Sequence, residues 1–168
     1  MEFEEYARQR LPDLVRFTTA VCADRALAED VVQEVLLRVH SRWSEIQELD
    51  APEMYIRRSL VNEYLSWRRK WARLVPHAVV PRRDAASPDH ATELADRSML
   101  VTELAALPPR QRAVLVMRFY GGLADNQIAD VLGCRTATVR GYAARALTTL
   151  RIELTEQSDT AARSERAH

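Results

Sequence analysis

The sequence predicts an all-α fold of two small helical domains joined by a flexible linker, the C-terminal domain being a four-helix, winged-helix-like helix-turn-helix. Only four of the 168 residues are glycine, and apolar residues recur at three- and four-residue steps through most of the chain. Between residues 74 and 92 this periodicity stops in a stretch that holds three prolines, which predicts a linker. We therefore expect domains at residues 1–73 and 93–154.

The composition is that of a globular protein. Apolar residues make up 47% of the chain and charged residues 29%, which fits a packed core better than a disordered chain. No apolar run approaches the roughly 20 residues that span a bilayer, and the N-terminus is acidic where a signal peptide would be basic. We expect a cytoplasmic protein without membrane insertion. Cys22 and Cys134 lack metal-ligand spacing and predict small packed thiols. The sequence shows no Gly-rich phosphate loop, metal-ligand cluster or nucleophile-base grouping, so no metal, cofactor or catalytic site is expected.

The net charge of zero conceals alternating blocks of charge. Residues 1–50 hold 6 basic and 11 acidic residues, residues 51–90 hold 8 and 4, and residues 108–151 hold 7 and 2. A nucleic-acid footprint is local, so overall neutrality does not exclude one. Neutrality does predict weak non-specific binding by the isolated protein, because counterion release scales with the phosphates neutralised.

The first predicted helix covers residues 2–22, and Pro12 is expected to interrupt it and start a new helix. Asp24 is the expected N-cap of a second helix, because its carboxylate can accept hydrogen bonds from the first turn. The buried stripe of this helix is predicted to comprise Val32, Leu36, Val39 and Trp43. Another face carries Asp30, Gln33, Glu34 and Leu37. On periodicity alone, that face indicates an ordinary solvated acidic surface.

A further long helix is predicted to start at Asp50-Ala51-Pro52, a capping residue followed by a proline in the first turn. Residues 57–73 contain six basic residues and one acid, interleaved with aromatic residues. This combination suits single-stranded or melted nucleic acid, whose phosphates are neutralised and whose bases stack. A buried aromatic stripe with extended arginines is the alternative, and both can hold on an amphipathic helix. An acidic lipid surface is less favoured, because the helix holds many core residues.

In the C-terminal domain, Pro108-Pro109 is predicted to end one helix and start the next, and Gly121-Gly122 to make a turn. Two apolar-periodic segments follow, 126–132 and 136–150, separated by Gly133-Cys134-Arg135. Glycine takes a positive φ at little cost, and Thr136 is a plausible N-cap for the second segment. This layout predicts a DNA-binding helix-turn-helix. Residues 155–168 contain no large apolar residue, which predicts a disordered tail.

Three motifs resemble those of bacterial sigma factors of the sigma-70 family. Residues 30–38, Asp-Val-Val-Gln-Glu-Val-Leu-Leu-Arg, resemble the Asp-x-x-Gln-Glu signature of that family. The helix over residues 56–69, with Asn62 ahead of a basic cluster, resembles the promoter-melting helix. The third motif resembles the C-terminal domain of these sigma factors. It consists of Leu107-Pro108-Pro109-Arg110-Gln111-Arg112 and the later pairs Ile128-Ala129, Leu132-Gly133, Thr138-Val139 and Arg145-Ala146. The short, two-domain chain resembles the extracytoplasmic function (ECF) group, and residues 61–67 resemble its SigE-like branch, common in actinobacteria.

The resemblance implies a non-enzymatic specificity subunit of RNA polymerase with three working surfaces. The residues implied at the clamp coiled coil of the polymerase β′ subunit are Asp30, Gln33, Glu34 and Arg38. Those implied at the minus-ten promoter element are Arg57, Arg58, Asn62, Trp67, Arg68 and Arg69, with the loop 44–50 capturing a flipped base. Those implied at the minus-thirty-five element are Arg135, Thr136, Thr138, Arg140, Tyr142 and Arg145. Inward packing is implied for Val139, Ala143, Ala146, Leu147 and Leu150.

The implied partners are core RNA polymerase, including its β flap, promoter DNA and an anti-sigma factor, and the free protein is expected to be a monomer. Two positions depart from the family pattern, Ser66 where an Asp is common and Gly141 where a polar residue is common. Gly141 costs a helix about 0.5–1 kcal/mol relative to Ala, and it either allows close approach to DNA or only weakens the helix.

Two alternatives to a sigma factor remain open. A stand-alone helix-turn-helix regulator would leave the face around Asp30 and the helix around Asn62 without a purpose. A sigma-like adaptor would hold, or compete for, a partner without initiating transcription.

Overall fold

The computed structural model describes the backbone of residues 1–74 and 93–166 and the side chains of residues 1–74 and 100–151. The described chain forms α1 (Phe3–Cys22), α2 (Arg25–Ser41), α3 (Trp43–Ile46), α4 (Pro52–Leu74), α5 (Glu93–Ala106), α6 (Pro109–Leu115), α7 (Asp125–Leu132) and α8 (Thr136–Arg166). A π-helical turn, Val116–Tyr120, continues α6. The all-α prediction is confirmed, and because this part of the chain contains no strand, its helix-turn-helix has no β-wing. The predicted linker, 74–92, lies outside the described residues except for Leu74.

Helices α1, α2 and α4 pack together to form the N-terminal half. Asp24 caps α2 as predicted, since the Leu27 backbone N–H donates to its Oδ1 at 3.0 Å. Helix α4 starts at Pro52, also as predicted. The prediction that Pro12 interrupts the first helix is wrong, because α1 runs unbroken from Phe3 to Cys22. Pro12 and Arg8, the residue whose carbonyl loses its usual N–H donor, are both exposed, so water can satisfy that carbonyl.

Helices α6, α7 and α8 form the C-terminal half, onto which α5 packs. Pro109 opens α6 as predicted, and Gly133 ends α7 with a φ of 63°. Thr136 is the first helical residue of α8 and not its N-cap, because the N–H groups of residues 138 and 139 donate to the Arg135 carbonyl. The backbone beyond residue 155 is helical to Arg166, so the predicted disordered tail is wrong for this stretch. Its alanines, arginines and glutamates have high helix propensity, which the apolar pattern does not register.

The two halves share one hydrophobic core and are joined by a buried arginine. Arg112 of α6 is only 4% exposed. Its Nε donates to the Val21 carbonyl at 2.7 Å, and its Nη2 donates to the Tyr64 hydroxyl at 2.8 Å. Both acceptors belong to the N-terminal half, whereas Nη1 donates to the Leu107 carbonyl within the C-terminal half at 3.2 Å. Two of the three hydrogen bonds of this buried guanidinium therefore require the halves to be in contact with each other. We call this the closed arrangement.

Candidate nucleic-acid and partner interfaces

Helix α2 presents a free face of mixed acidic and apolar character. Asp30, Gln33 and Glu34 are exposed, and Leu37 beside them is 63% exposed. Val31 and Val35 are buried against the rest of the N-terminal half, so the exposed residues are held on a rigid helix. We call these four exposed residues the α2 face. Arg38, predicted with them, forms an ion pair with Glu63 of α4 and remains 56% exposed at its side chain.

The second half of α4 divides its aromatic residues between the core and the surface. Tyr64 is 1% exposed and belongs to the core, which confirms the alternative of a buried aromatic stripe for that residue. Trp67 and Trp71 are half-buried and stack on each other, with ring centroids 5.7 Å apart. Arg68 donates to the Tyr64 hydroxyl at 3.3 Å. The exposed polar residues of this segment are Asn62, Arg69, Lys70 and Arg73, while Arg58 is half-buried.

Arg57 lies between the two halves and not on a free surface, contrary to its predicted place at DNA. Its Nη2 is 2.9 Å from Asp13 Oδ2 of α1 and 3.2 Å from Glu53 Oε1. Its Nη1 donates to the carbonyl of Gly121 at 3.1 Å, and the side chain is only 15% exposed. In the closed arrangement Arg57 is therefore occupied by protein partners. Its charge suggested DNA, but two of those partners, Asp13 and Gly121, lie far away in the sequence.

Asp13 and Tyr120 complete this contact between the halves. The Tyr120 hydroxyl donates to Asp13 Oδ1 at 2.7 Å. Partial burial raises the pKa of Asp13, but the hydrogen bond from Tyr120 and the charge of Arg57 outweigh it, so the pKa lies below its usual value. Burial, and then the hydrogen bond to Asp13, raise the pKa of Tyr120. The network is thus held by an ionised carboxylate between a phenol and a guanidinium.

Gly121 allows the backbone of the C-terminal half to approach α1. A Cβ atom at this position would lie 2.8 Å from the Met117 carbonyl oxygen and 3.1 Å from Phe17 Cε2. Gly122 next to it has a φ of 67° and open space around it. The predicted Gly-Gly turn therefore uses its first glycine for close packing and its second for backbone conformation.

Helix α8 has one side in the core and another side free. Val139, Ala143 and Ala146 are buried, as predicted, whereas Leu147 is 39% exposed and not packed inward. The predicted minus-thirty-five residues with exposed side chains are Arg135, Arg140 and Arg145, and those at intermediate exposure are Thr136, Thr138 and Tyr142. The Arg145 guanidinium lies 5.3 Å from the centre of the Tyr142 ring. The three arginines give this free side a positive charge.

Arg140 is also in contact with an acid that the sequence did not single out. Its Nε lies 3.6 Å from Oδ2 of Asp125, the first residue of α7. The other oxygen of Asp125 accepts hydrogen bonds from Arg118 Nε at 3.0 Å and from Arg118 Nη2 at 2.6 Å. The only indication of a role for Asp125 in the sequence was its position at a predicted helix start, where the helix dipole favours a negative charge.

A large apolar groove separates the α2 side of the molecule from α5 and α8. Its volume is about 1440 Å³. Its walls include Gln33 and Leu37 of the α2 face on one side and Leu100, Phe119 and Leu147 on the other. Leu37, Leu100 and Phe119 are each more than half exposed, at 63%, 57% and 67%. Exposed apolar side chains this close together are typical of an interaction site. We call it the interdomain groove.

Among the residues that the structure describes, no group of three or more His, Cys, Asp or Glu side chains is placed to hold a metal ion. Within the same residues, no helix has the length and apolarity needed to cross a bilayer.

Comparison with known proteins identifies the family. The chain matches the family model described as Sigma-70 region 2 over residues 6–74 and that described as Sigma-70, region 4 over residues 97–150. It is 35% identical over 165 residues to the RNA polymerase sigma-E factor of Streptomyces avermitilis, covering 98% of this chain and 90% of that protein. It is 31% identical over 149 residues to the ECF RNA polymerase sigma factor SigL of Mycobacterium tuberculosis, covering 85% and 83%. The chain belongs to the ECF group of RNA polymerase sigma factors.

Solved structures share the fold of this ECF sigma factor. The sigma factor RpoE from Bartonella quintana, solved in complex with the anti-sigma factor NepR, is similar with a TM-score of 0.72 at 23% identity, covering 91% of this chain and 96% of that one. CnrH, solved in complex with the cytosolic domain of CnrY, is similar with a TM-score of 0.59 at 18% identity, covering 92% and 88%. The resemblance read from the sequence motifs is thereby confirmed at the level of family and fold.

Proposed function

We propose that this sigma factor binds core RNA polymerase in the cytoplasm, directs it to specific promoters and assists promoter opening, without catalytic activity of its own. One observation carries the proposal. The chain presents separate exposed surfaces of different chemistry, namely the α2 face, the basic end of α4 and the arginine-bearing side of α8. A stand-alone helix-turn-helix regulator would need only the last of these.

The α2 face supports binding to the β′ clamp coiled coil. Asp30 and Glu34 supply negative charge, Gln33 supplies an amide and Leu37 supplies an apolar contact, all from a helix whose opposite side is buried. An apolar residue surrounded by polar groups fits the usual anatomy of an interface. Arg38 would contribute from the edge, where it is also paired with Glu63. The β flap would contact the C-terminal half.

The exposed end of α4 supports binding to the minus-ten element. Asn62 and Arg69 are exposed, and Arg68 and the stacked Trp67 lie between them. Arginines neutralise phosphates and the tryptophans offer a face on which an unpaired base can stack. The loop after α3 is exposed through Asp50 and would receive a flipped base. Arg58 is half-buried, so it would act from behind this surface.

The free side of α8 supports binding to the minus-thirty-five element in a major groove. Arg135 immediately precedes the helix and Arg140 lies in its second turn, near the end with which recognition helices make base contacts, and Arg145 lies further along. The threonines at 136 and 138 and the Tyr142 ring are partly exposed beside them and can contact phosphates. Because Val139 and Ala143 are buried, the register of the helix determines which side is free, and that side would face DNA.

The interdomain groove supports binding to an anti-sigma factor. The groove is apolar and includes Gln33 and Leu37 of the α2 face. An amphipathic helix in the groove would cover those residues and so compete with polymerase, as a helix-in-groove interaction. The relative RpoE was solved with its anti-sigma factor, which favours a protein of this kind as the occupant here.

Binding to purified core RNA polymerase tests the proposal. We expect the wild-type chain to bind, and we expect a variant with Asp30→Arg and Glu34→Arg to lose binding while keeping its helical circular dichroism. A matched control carries Glu5→Arg and Glu48→Arg, two exposed acids of the same half outside the α2 face, and should bind normally. No binding by wild type would favour a stand-alone regulator. Binding without run-off transcripts from any promoter would favour a sigma-like adaptor.

A further inference from the structure

The guanidinium of Arg140 is exposed to solvent and has a charged neighbour, the carboxylate of Asp125. Its side chain is 71% exposed, and its Nε lies 3.6 Å from Asp125 Oδ2. Because the approach to Asp125 is made by Nε, the outer Nη1 and Nη2 groups of this exposed side chain are available for other contacts. Those outer groups are the ones that form a two-point contact with a guanine edge.

Asp125 is itself held from the opposite direction. Arg118, in the π-helical turn, donates two hydrogen bonds to Asp125 Oδ1, at 3.0 and 2.6 Å, and the side chains of both residues are only 26% exposed. Asp125 is also the first residue of α7, where the helix dipole stabilises a carboxylate. The position of this carboxylate is therefore set by Arg118 and α7, and it does not depend on Arg140.

We propose that Asp125 is a positioning residue for Arg140 and that the line of contacts from Arg118 through Asp125 to Arg140 sets the preference for guanine at one position of the upstream promoter element. This inference rests on the proposed function of α8. A free arginine side chain carries about 2 kcal/mol of rotamer entropy, part of which is lost on binding. Attraction to a fixed carboxylate restricts the guanidinium before DNA arrives, so less entropy is lost on binding.

Arg118 has a second effect that makes this arrangement suitable for DNA. An unpaired carboxylate beside a recognition helix would repel the phosphates. The guanidinium of Arg118 lies 2.6 Å from the carboxylate and offsets its charge. Asp125 can therefore attract Arg140 at short range without a net negative field at the DNA surface.

The ion pair between Arg140 and Asp125 is expected to add little to the stability of the fold. Exposed pairs contribute about 0–1 kcal/mol to stability, and at 3.6 Å this pair lies outside ideal hydrogen-bond length. The packing of Asp125 is secured by Arg118, so Arg140 is not required for it. The distinguishing property is base preference, which a role confined to folding would not change at a single position.

The test compares holoenzymes reconstituted with wild type, Asp125→Asn and Asp130→Asn on promoters whose upstream element is randomised. Asparagine at 125 keeps an oxygen that accepts from Arg118 but loses the charge that attracts Arg140. We expect the guanine preference at one position to fall about two- to fivefold with Asp125→Asn, while the other positions stay unchanged. Asp130 is an exposed acid of the same helix, so Asp130→Asn controls for the change in charge and should keep the wild-type profile. Adding Asp125→Asn to Arg140→Ala should have no further effect on the profile.

An unchanged profile for Asp125→Asn, or an equal loss at every position, would overturn the inference. Arg118→Gln, which removes the guanidinium that holds Asp125 in place, should reduce the guanine preference at the same position and gives an independent reading if Asp125→Asn is unstable. If wild-type holoenzyme shows no upstream preference at all, the proposed function of α8 fails and this inference fails with it. That outcome is recognised from the wild-type profile alone.

Discussion

Replacing Arg57 by Ala tests whether this residue serves the closed arrangement. The guanidinium is 15% exposed and forms ion pairs at 2.9 Å with Asp13 and at 3.2 Å with Glu53, as well as a hydrogen bond at 3.1 Å to the Gly121 carbonyl. Hydrogen bonds to charged groups contribute about 1.5–3 kcal/mol each, and both carboxylates keep some contact with water. We therefore expect a loss of about 2–4 kcal/mol in the free energy of unfolding.

For a chain of this size, that loss corresponds to a fall in Tm of roughly 4–16 °C. Thermal unfolding followed by circular dichroism measures it. Small-angle X-ray scattering of the folded variant provides a second reading, because separation of the halves should raise the radius of gyration. Arg69→Ala is the matched control, since Arg69 lies on the same helix but is exposed. It should leave Tm and radius unchanged and should weaken binding of the holoenzyme to melted promoter DNA.

The opposite pattern would refute this reasoning. If Arg57→Ala kept the wild-type Tm and radius of gyration but lost affinity for melted promoter DNA, Arg57 would be a DNA contact, as its position in the sequence suggested. The contacts with Asp13 and Gly121 would then contribute nothing measurable to the association of the two halves.

Three other perturbations have defined outcomes. Gly141→Ala should stabilise the protein by roughly 0.5–1 kcal/mol in thermal unfolding, because alanine favours a helix and its Cβ would meet only Arg145 Nη2 at 3.6 Å. A loss of stability would contradict this expectation. Weaker promoter binding by the stabilised variant would show that DNA binding requires the glycine. Gly121→Ala should destabilise by about 1–3 kcal/mol in urea unfolding, because its Cβ would lie 2.8 Å from the Met117 carbonyl, and a neutral effect would contradict the packing. The folded-state pKa of Asp13 is lowered, so its stabilisation is present above the ordinary value of 3.8 and is lost as the pH falls through the lower value. The stability difference between wild type and Asp13→Asn should therefore disappear in acid, and a difference independent of pH would exclude that linkage.

Local chemistry predicted the helix boundaries well. Asp24 and the prolines at 52 and 109 act within their own turns, and each marks a helix start in the structure. The buried side of α8 was also predictable, because Val139, Ala143 and Ala146 repeat at helical spacing. Pro12 was the exception, since a helix tolerates a proline where the unpaired carbonyl can reach water.

Contacts between distant segments could not be predicted. An arginine such as Arg112 is expected at the surface, but it is buried and its acceptors include the Val21 carbonyl, 91 positions away. Arg57 likewise has a partner 44 positions away, Asp13. Its charge suggested a DNA contact, because the sequence does not reveal that partner. Leu147 fits the inward spacing of α8 but lies at the interdomain groove, 39% exposed. The placement of Asp125 beside Arg140 depends on the turn between α7 and α8, which the sequence indicates only in outline.

Run-off transcription with reconstituted holoenzyme is the most direct test of the central claim. Core RNA polymerase from the bacterium that carries this gene would be combined with the wild-type chain on fragments of the same genome, and the transcript starts would be mapped. We predict starts that appear only when the chain is present, preceded by shared upstream and minus-ten sequences, and absent with the Asp30→Arg, Glu34→Arg variant. Core binding without any chain-dependent start would contradict the claim that this protein initiates transcription.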